Sequence, residues 1–171
     1  EQYSGTGNRV DLVIHHPNYI SSGNLIYGSG MMGLLEKPGN LLKALTYFFL
    51  SSHAGEAGHN CPVACTAGVI RVIQKAPDFP NKQYYLQELI DPSYTTNFTG
   101  AQFVTEAQGG SDVGENDTQA VLDKDGHWKI TGEKWFCSNC HADLILMTAR
   151  CNQDIKGTKG LGLFLVPAQW E

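Results

Sequence analysis

Two short stretches hold the residues of this chain best suited to chemistry. Residues 103–113 read Phe103-Val-Thr-Glu-Ala-Gln-Gly-Gly-Ser-Asp-Val113, and residues 132–139 read Gly132-Glu-Lys-Trp-Phe-Cys-Ser-Asn139. In the first, a short apolar strand runs into a Gly109-Gly110-Ser111-Asp112 turn. Adjacent glycines permit positive φ and let a backbone come close to a ligand. The amides of such a turn, with the Ser111 hydroxyl beside them, make a concavity suited to phosphate oxygens. In the second, the aromatic pair Trp135-Phe136 stands just before a hydroxyl, Ser138. A flat apolar face beside a hydrogen-bonding hydroxyl suits a heteroaromatic ring. Together the two stretches suggest a dinucleotide, its pyrophosphate held by one and its ring by the other.

The elements that must position these residues follow from pattern. Residues 1–18 read as an irregular lead-in with an extended stretch from Val10 to His16, closed by Pro17, and residues 19–36 as a glycine-interrupted helix. Asn40 is a candidate N-cap for a helix from Leu41 to His53, in which Leu42, Leu45, Phe48 and Phe49 recur at helical spacing. A further helix spans Ala64 to Lys75 and is stopped by Ala76-Pro-Asp-Phe-Pro80, and another covers Lys82 to Ile90. Beyond residue 95 the pattern turns to strands at 103–104, 119–122, 128–130, 144–149 and 161–166, with Asp123-Lys-Asp-Gly126 as a hairpin turn. The expected architecture is α+β: an all-helical N-terminal domain over residues 1–96, then an antiparallel β domain over residues 97–171 that forms part of a barrel.

The motifs and their order resemble those of the flavin-dependent acyl-CoA dehydrogenases, whose middle domain carries a T-E-P-x-x-G-S-D run followed by G-x-K-x-W-I-T-N. Here these read Thr105-Glu-Ala-Gln-Gly-Gly-Ser-Asp112 and Gly132-Glu-Lys-Trp-Phe-Cys-Ser-Asn139, and Gly160-Leu-Gly-Leu-Phe-Leu-Val-Pro167 matches the next apolar strand. Gln108-Gly-Gly-Ser-Asp-Val113, Asn116, Thr118 and Lys134-Trp-Phe136 resemble the AidB-type branch in particular. The resemblance is clear over residues 98–167 and looser before them.

That resemblance implies FAD as cofactor and an acyl-CoA thioester as substrate, dehydrogenated between its α and β carbons. Carried over residue by residue, the cofactor-binding set is Phe103, Thr105, Gly110, Ser111, Phe136 and Ser138. Ser111 faces the pyrophosphate or the nearby acyl-CoA, and Thr105 the pyrimidine side of the flavin. Ser138 takes the place of a family threonine near N5, and Phe136 that of a tryptophan beside the ring. Trp135 fills the last role if the register shifts by one. Glu106 is expected to be structural. The helices at 41–53 and 64–75 are where acyl-chain contacts are expected. In the family the proton-abstracting glutamate lies in a C-terminal helical domain, so no residue of this chain inherits that role and none is assigned as catalytic. The chain lacks an initiating Met, ends at Trp170-Glu171 and reads as a fragment of such a protein. Family precedent gives a homo-oligomer, a tetramer, for the full-length parent.

Other readings of the same residues are weaker. Cys137-Ser-Asn-Cys-His141 spells the attachment motif of c-type haem, but it interrupts a β-rich region. Zinc held by His59, Cys61, Cys65, Cys137 and Cys140 lacks two well-spaced pairs, and buried small cysteines explain them better. His15, His16 and His53 read as surface or capping residues. A non-catalytic structural or binding module is the alternative from another class. With 12 Lys and Arg against 17 Asp and Glu, and no basic run, the segment is a poor partner for nucleic acid. No apolar run reaches the length of a membrane span. Five cysteines, an odd number, fit an intracellular, reducing compartment, cytoplasmic or mitochondrial.

Overall fold

The computed structural model describes residues 2–10, 13–54 and 58–168. Two compact units emerge, one from the residues up to Asn60 with Ile90–Asn97, the other from Cys61–Leu89 with the residues from Phe98 onward.

In the first unit, α1 (Pro17–Gly28) and α2 (Leu41–His53) are the helices. Proline at the first position of α1 costs nothing there, because its missing N–H would have no helical partner. His16 caps α1, its Nδ1 accepting from the Asn18 amide at 3.1 Å. A single turn at Gly33–Leu35 is all that remains of the helical pattern after α1. The core of this unit is aromatic: His59 stacks on Tyr19 with ring centroids 3.8 Å apart and meets Tyr27 and Tyr94 edge-on. Gly23 is required at its place, because a Cβ there would sit 2.4 Å from the Tyr94 ring. The predicted Val10–His16 extension falls partly outside the described residues.

The second unit holds all but the first residue of α3 (Asn60–Lys75), all but the last of α4 (Lys82–Ile90) and a five-stranded sheet: β1 (Gly100–Phe103), β2 (Gln119–Leu122), β3 (Trp128–Thr131), β4 (Leu144–Arg150) and β5 (Leu161–Pro167). Helix α3 starts four residues before the expected Ala64, and Pro62 falls within its first turn, where proline is tolerated. Its buried stripe of Val63, Thr66, Val69, Ile70 and Ile73 recurs at helical spacing. Thr66 couples that stripe to the sheet: its Oγ1 donates to the Pro62 carbonyl (2.7 Å) and accepts from the Gly100 amide (2.9 Å). Gly100 lets the strand lie that close, since a Cβ would fall 2.6 Å from Val69 Cγ2.

The sheet is mixed, where the pattern suggested an antiparallel one. β4 pairs antiparallel with β5 along its whole length and parallel with β1, Gly100 opposite Leu144 through Phe103 opposite Met147. The β2–β3 hairpin, closed at Gly126 with φ +85°, is antiparallel, and β2 meets β4 only at Gln119 and Arg150. The reason is connection length: some forty residues separate β1 from β4, room for a crossover that returns the chain in its original direction. The strands expected at 119–122, 128–130, 144–149 and 161–166 are present, the last three longer by a residue, whereas β1 ends at Phe103 and shares only that residue with the expected 103–104.

Candidate functional site

β1 ends at Phe103, half-buried and opposite Met147. The chain then makes a tight reversal in which Glu106 and Gly109 exchange backbone hydrogen bonds of 3.2 and 3.1 Å. From this reversal the Gly109-Gly110-Ser111 loop projects. The loop does not use left-handed backbone at either glycine, contrary to expectation. Gly110 is needed for another reason: a Cβ would press on Thr105 Cγ2 and Oγ1, both at 3.1 Å. Gly109, by contrast, has open space where a Cβ would go. Ser111 is exposed, and among the described residues the amides of Gly110, Ser111 and Asp112 have no hydrogen-bond partner. Three successive amides are thus left open at an exposed glycine loop, free to donate to an anion.

The second motif is held against the first by backbone. The Trp135 amide donates to the Thr105 carbonyl at 2.9 Å. Immediately beyond, Phe136 is 82% exposed and adopts φ +55°, a strained conformation for a bulky residue. Trp135 is 47% exposed, its ring edge-on to Phe136 with centroids 6.0 Å apart. Ser138 is exposed, and its amide donates back to the Phe136 carbonyl at 3.0 Å. Asn139 anchors the far end of this loop, its Nδ2 donating to Thr99 Oγ1 (3.2 Å) and to the Gly100 carbonyl (3.0 Å). An aromatic face is thus presented outward beside a hydroxyl, on backbone tied directly to Thr105. Neither aromatic is a core residue.

Beneath this surface lies a polar cluster. Glu106 accepts from Lys134 Nζ (2.6 Å), the Asp117 amide (2.6 Å), Gln108 Nε2 (2.8 Å) and the Thr118 amide (3.2 Å). Lys134 also donates to Asn116 Oδ1 (3.2 Å) and Thr148 Oγ1 (3.3 Å). Burial by itself would raise the Glu106 pKa. The Lys134 ammonium and the amide donors outweigh it and bring the carboxyl down to about 2. Glu106 is therefore a fixed anion, as its expected structural role requires. Arg150, at the end of β4, spreads its guanidinium over four carbonyls: Gly114 (2.6 Å), Ile155 (2.9 Å), Asn116 (3.2 Å) and Gly157 (3.3 Å). Sequence reasoning missed Arg150 and Thr148 altogether. Carbonyl acceptors leave no mark in a sequence.

The remaining candidates separate. Cys61 and Cys140 are exposed and Cys65 and Cys137 half-buried, so the cysteines are not the buried small residues expected. Among the described residues no three metal-ligating side chains converge. Beside α2, an apolar groove of about 690 Å³ is lined by Leu25, Ile26, Met31, Tyr47 and Leu50. No described helix is long and apolar enough to cross a membrane.

Residues 1–96 match the family model of the adaptive response protein AidB N-terminal domain. Residues 101–171 match that of the acyl-CoA dehydrogenase middle domain. The chain belongs to the acyl-CoA dehydrogenase family. Its N-terminal part is of the AidB type. It is 27% identical over 178 residues to the putative acyl-CoA dehydrogenase AidB of Escherichia coli, covering 97% of this chain and 32% of that protein. It is 35% identical over 129 residues to acyl-CoA dehydrogenase family member 11 of Caenorhabditis elegans, covering 70% of this chain and 20% of that one. The crystal structure of C. elegans ACDH-11 in complex with C11-CoA superimposes with a TM-score of 0.83 at 28% identity, over 98% of this chain and 30% of that chain. The chain therefore spans between a fifth and a third of the length of these acyl-CoA dehydrogenase relatives.

Proposed function

We propose that residues 1–171 form part of an FAD-dependent acyl-CoA dehydrogenase, an oxidoreductase that removes hydrogen from the α and β carbons of an acyl-CoA thioester. The observation that carries this reading is the 2.9 Å bond from the Trp135 amide to the Thr105 carbonyl. It unites a run of open amides with an outward aromatic face and a hydroxyl, the combination a flavin dinucleotide requires. Bound FAD would supply the two-electron acceptor for the hydride leaving the β carbon. The open amides at Gly110, Ser111 and Asp112, with the Ser111 hydroxyl, bind the pyrophosphate. Thr105 offers its hydroxyl to the pyrimidine edge, Phe103 closes the strand beneath it, and Phe136 packs beside the ring with Ser138 as the nearby donor.

The α proton must go to a base, and Glu106 is unsuited to that work. A carboxylate near pKa 2 and locked to Lys134 takes up a proton poorly at neutral pH. We therefore assign the base to a part of the protein outside these residues, together with the contacts that complete the cofactor site and a homo-oligomeric assembly. The C11-CoA complex of the C. elegans relative supports an acyl-CoA substrate.

The test is a visible absorption spectrum of the purified protein, before and after adding FAD, followed by denaturation and filtration. Flavin bands that pass into the filtrate are expected. A protein that is colourless as purified and takes up no added FAD would refute the reading and favour a non-catalytic module.

A further inference from the structure

The loop carrying Phe136 and Ser138 also carries two thiols for which the proposed flavin site has no use. Cys137 and Cys140 are both free. Cys140 is exposed, Cys137 is half-buried, and the residues between them form a turn. The ends of a four-residue turn lie within about 7 Å between Cα atoms. A disulfide closes over about 4.4–6.8 Å, a span within the reach of two cysteines with a two-residue turn between them. Asn139 sits between them at φ +56°, its side chain fixed to Thr99 and Gly100. The turn is thus held in shape from outside the thiol pair. Burial pushes the Cys137 thiol up, the nearness of Cys140 adds to that, and the Lys134 cation opposes both. Cys140 is the more accessible of the two and the natural point of first attack.

The other close pair differs in kind. Cys61 and Cys65 stand four apart on α3, and burial, then Cys61, push the Cys65 thiol up to about 11. A thiol so far from ionisation attacks slowly, and a bridge there would have to distort a regular helix.

We propose that Cys137 and Cys140 are a disulfide modification site, oxidised by a low-molecular-weight disulfide, whose closure weakens the hold of the Phe136–Ser138 loop on flavin. The Cys140 thiolate attacks one sulfur of oxidised glutathione, breaking its S–S bond and releasing one glutathione thiolate, which takes a proton from solvent. Cys137, having lost its proton to solvent, attacks the Cys140 sulfur and expels the second glutathione in the same way. Two protein thiols lose two electrons and two protons, and one glutathione disulfide becomes two thiols. Cys137 is the centre of the turn closed by the Ser138 amide and the Phe136 carbonyl. Drawing its sulfur toward Cys140 rotates that turn and moves the Ser138 hydroxyl relative to the Phe136 ring. The effect on flavin rests on the function proposed above, whereas the thiol chemistry does not.

One digest tests the chemistry. Trypsin releases Trp135–Arg150 as a single peptide that contains Cys137 and Cys140, no other cysteine and no internal Lys or Arg. The purified protein is incubated with oxidised glutathione, its remaining thiols are blocked, and the peptide is weighed. A loss of two hydrogens is expected, with Cys61 and Cys65 still blocked. Cys137→Ser should leave glutathione attached at Cys140. A peptide that stays doubly blocked, or stops at the mixed disulfide in the unsubstituted protein, overturns the site. Flavin release from the oxidised and reduced forms, followed by fluorescence, tests the consequence. Oxidised protein should hold FAD about threefold or more weakly, and bound FAD should hinder oxidation by the same factor. Equal retention overturns the regulatory effect. A protein that binds no flavin in either state overturns the flavin reading and that effect together, while the peptide result still decides the thiol pair.

Discussion

Lys134 Nζ lies 2.6 Å from Glu106 Oε1, and the two side chains are only 5% and 3% exposed. This pair joins the two motifs from below, as the Trp135–Thr105 bond joins them from above. Burying two charges is costly, and such a pair persists only where every lone pair and proton finds a partner, a condition met here by Gln108, Asn116, Asp117, Thr118 and Thr148. Removing one partner is therefore worse than removing both. Lys134→Met will cost about 3–5 kcal/mol because it leaves a buried carboxylate alone. The double variant Glu106→Gln with Lys134→Met will recover part of that loss. Urea unfolding of the three proteins decides the matter, and a Lys134→Met variant as stable as the parent would show that the pair does not hold the motifs.

The same carboxylate sets an acid limit. Its pKa is lowered from 4.5 to about 2 in the folded chain, so folding favours its charged form. A lowered pKa gives stability that is fully present above the unfolded value and is lost as pH falls through the folded one. The window is thus from about pH 4.5 down to about 2. A shift of this size corresponds to about 3 kcal/mol. Thermal melts across that range should fall steeply for the parent and less steeply for Glu106→Gln. Parallel curves would mean that other carboxylates govern acid unfolding.

Much of this arrangement is legible in the chain, and the exceptions share a cause. The bounds of α2 follow from the recurrence of Leu42, Leu45 and Phe49. Yet Leu42 is 78% exposed and Phe49 64%, because periodicity reports that a face exists and not what covers it. The parallel pairing of β1 with β4 was invisible, since it depends on a partner strand more than forty residues away. Arg150 escaped notice because its partners are the carbonyls of Gly114, Asn116, Ile155 and Gly157, which any residue could supply. Gly110 stands out in the sequence for positive φ and close approach to a ligand, and its φ is not positive. The reason it must be small, contact with the Thr105 side chain, required the fold.

Phe136 separates stability from function. An aromatic residue at φ +55° pays a steric penalty that glycine would not, and a side chain 82% exposed contributes little packing in return. Phe136→Gly will therefore leave the melting temperature unchanged or raise it, relieving about 1–2 kcal/mol of strain. If the ring lies against flavin, the same variant will bind FAD more weakly by a factor of about ten, the value of a modest aromatic contact. Calorimetry and a fluorescence titration are read together. Loss of stability with unchanged FAD binding would assign Phe136 to the fold and remove it from the cofactor site.

Gly110 and Thr105 form the tightest approach in the proposed pyrophosphate site, and a rescue experiment can show whether steric contact is the reason. A Cβ on residue 110 would stand 3.1 Å from both Thr105 Cγ2 and Thr105 Oγ1, closer than an ordinary van der Waals contact. Gly110→Ala must push the Thr105 side chain or the loop aside by a few tenths of an ångström, displacing the open amides. Flavin affinity should fall severalfold with little change in unfolding free energy, because Gly110 lies on an exposed loop where substitutions usually stay within about 0.5 kcal/mol. Thr105→Ser removes Cγ2 while keeping the hydroxyl, so the pair Thr105→Ser with Gly110→Ala should bind FAD better than Gly110→Ala alone. A double variant no better than the single one would mean that the glycine serves the loop backbone rather than its contact with Thr105.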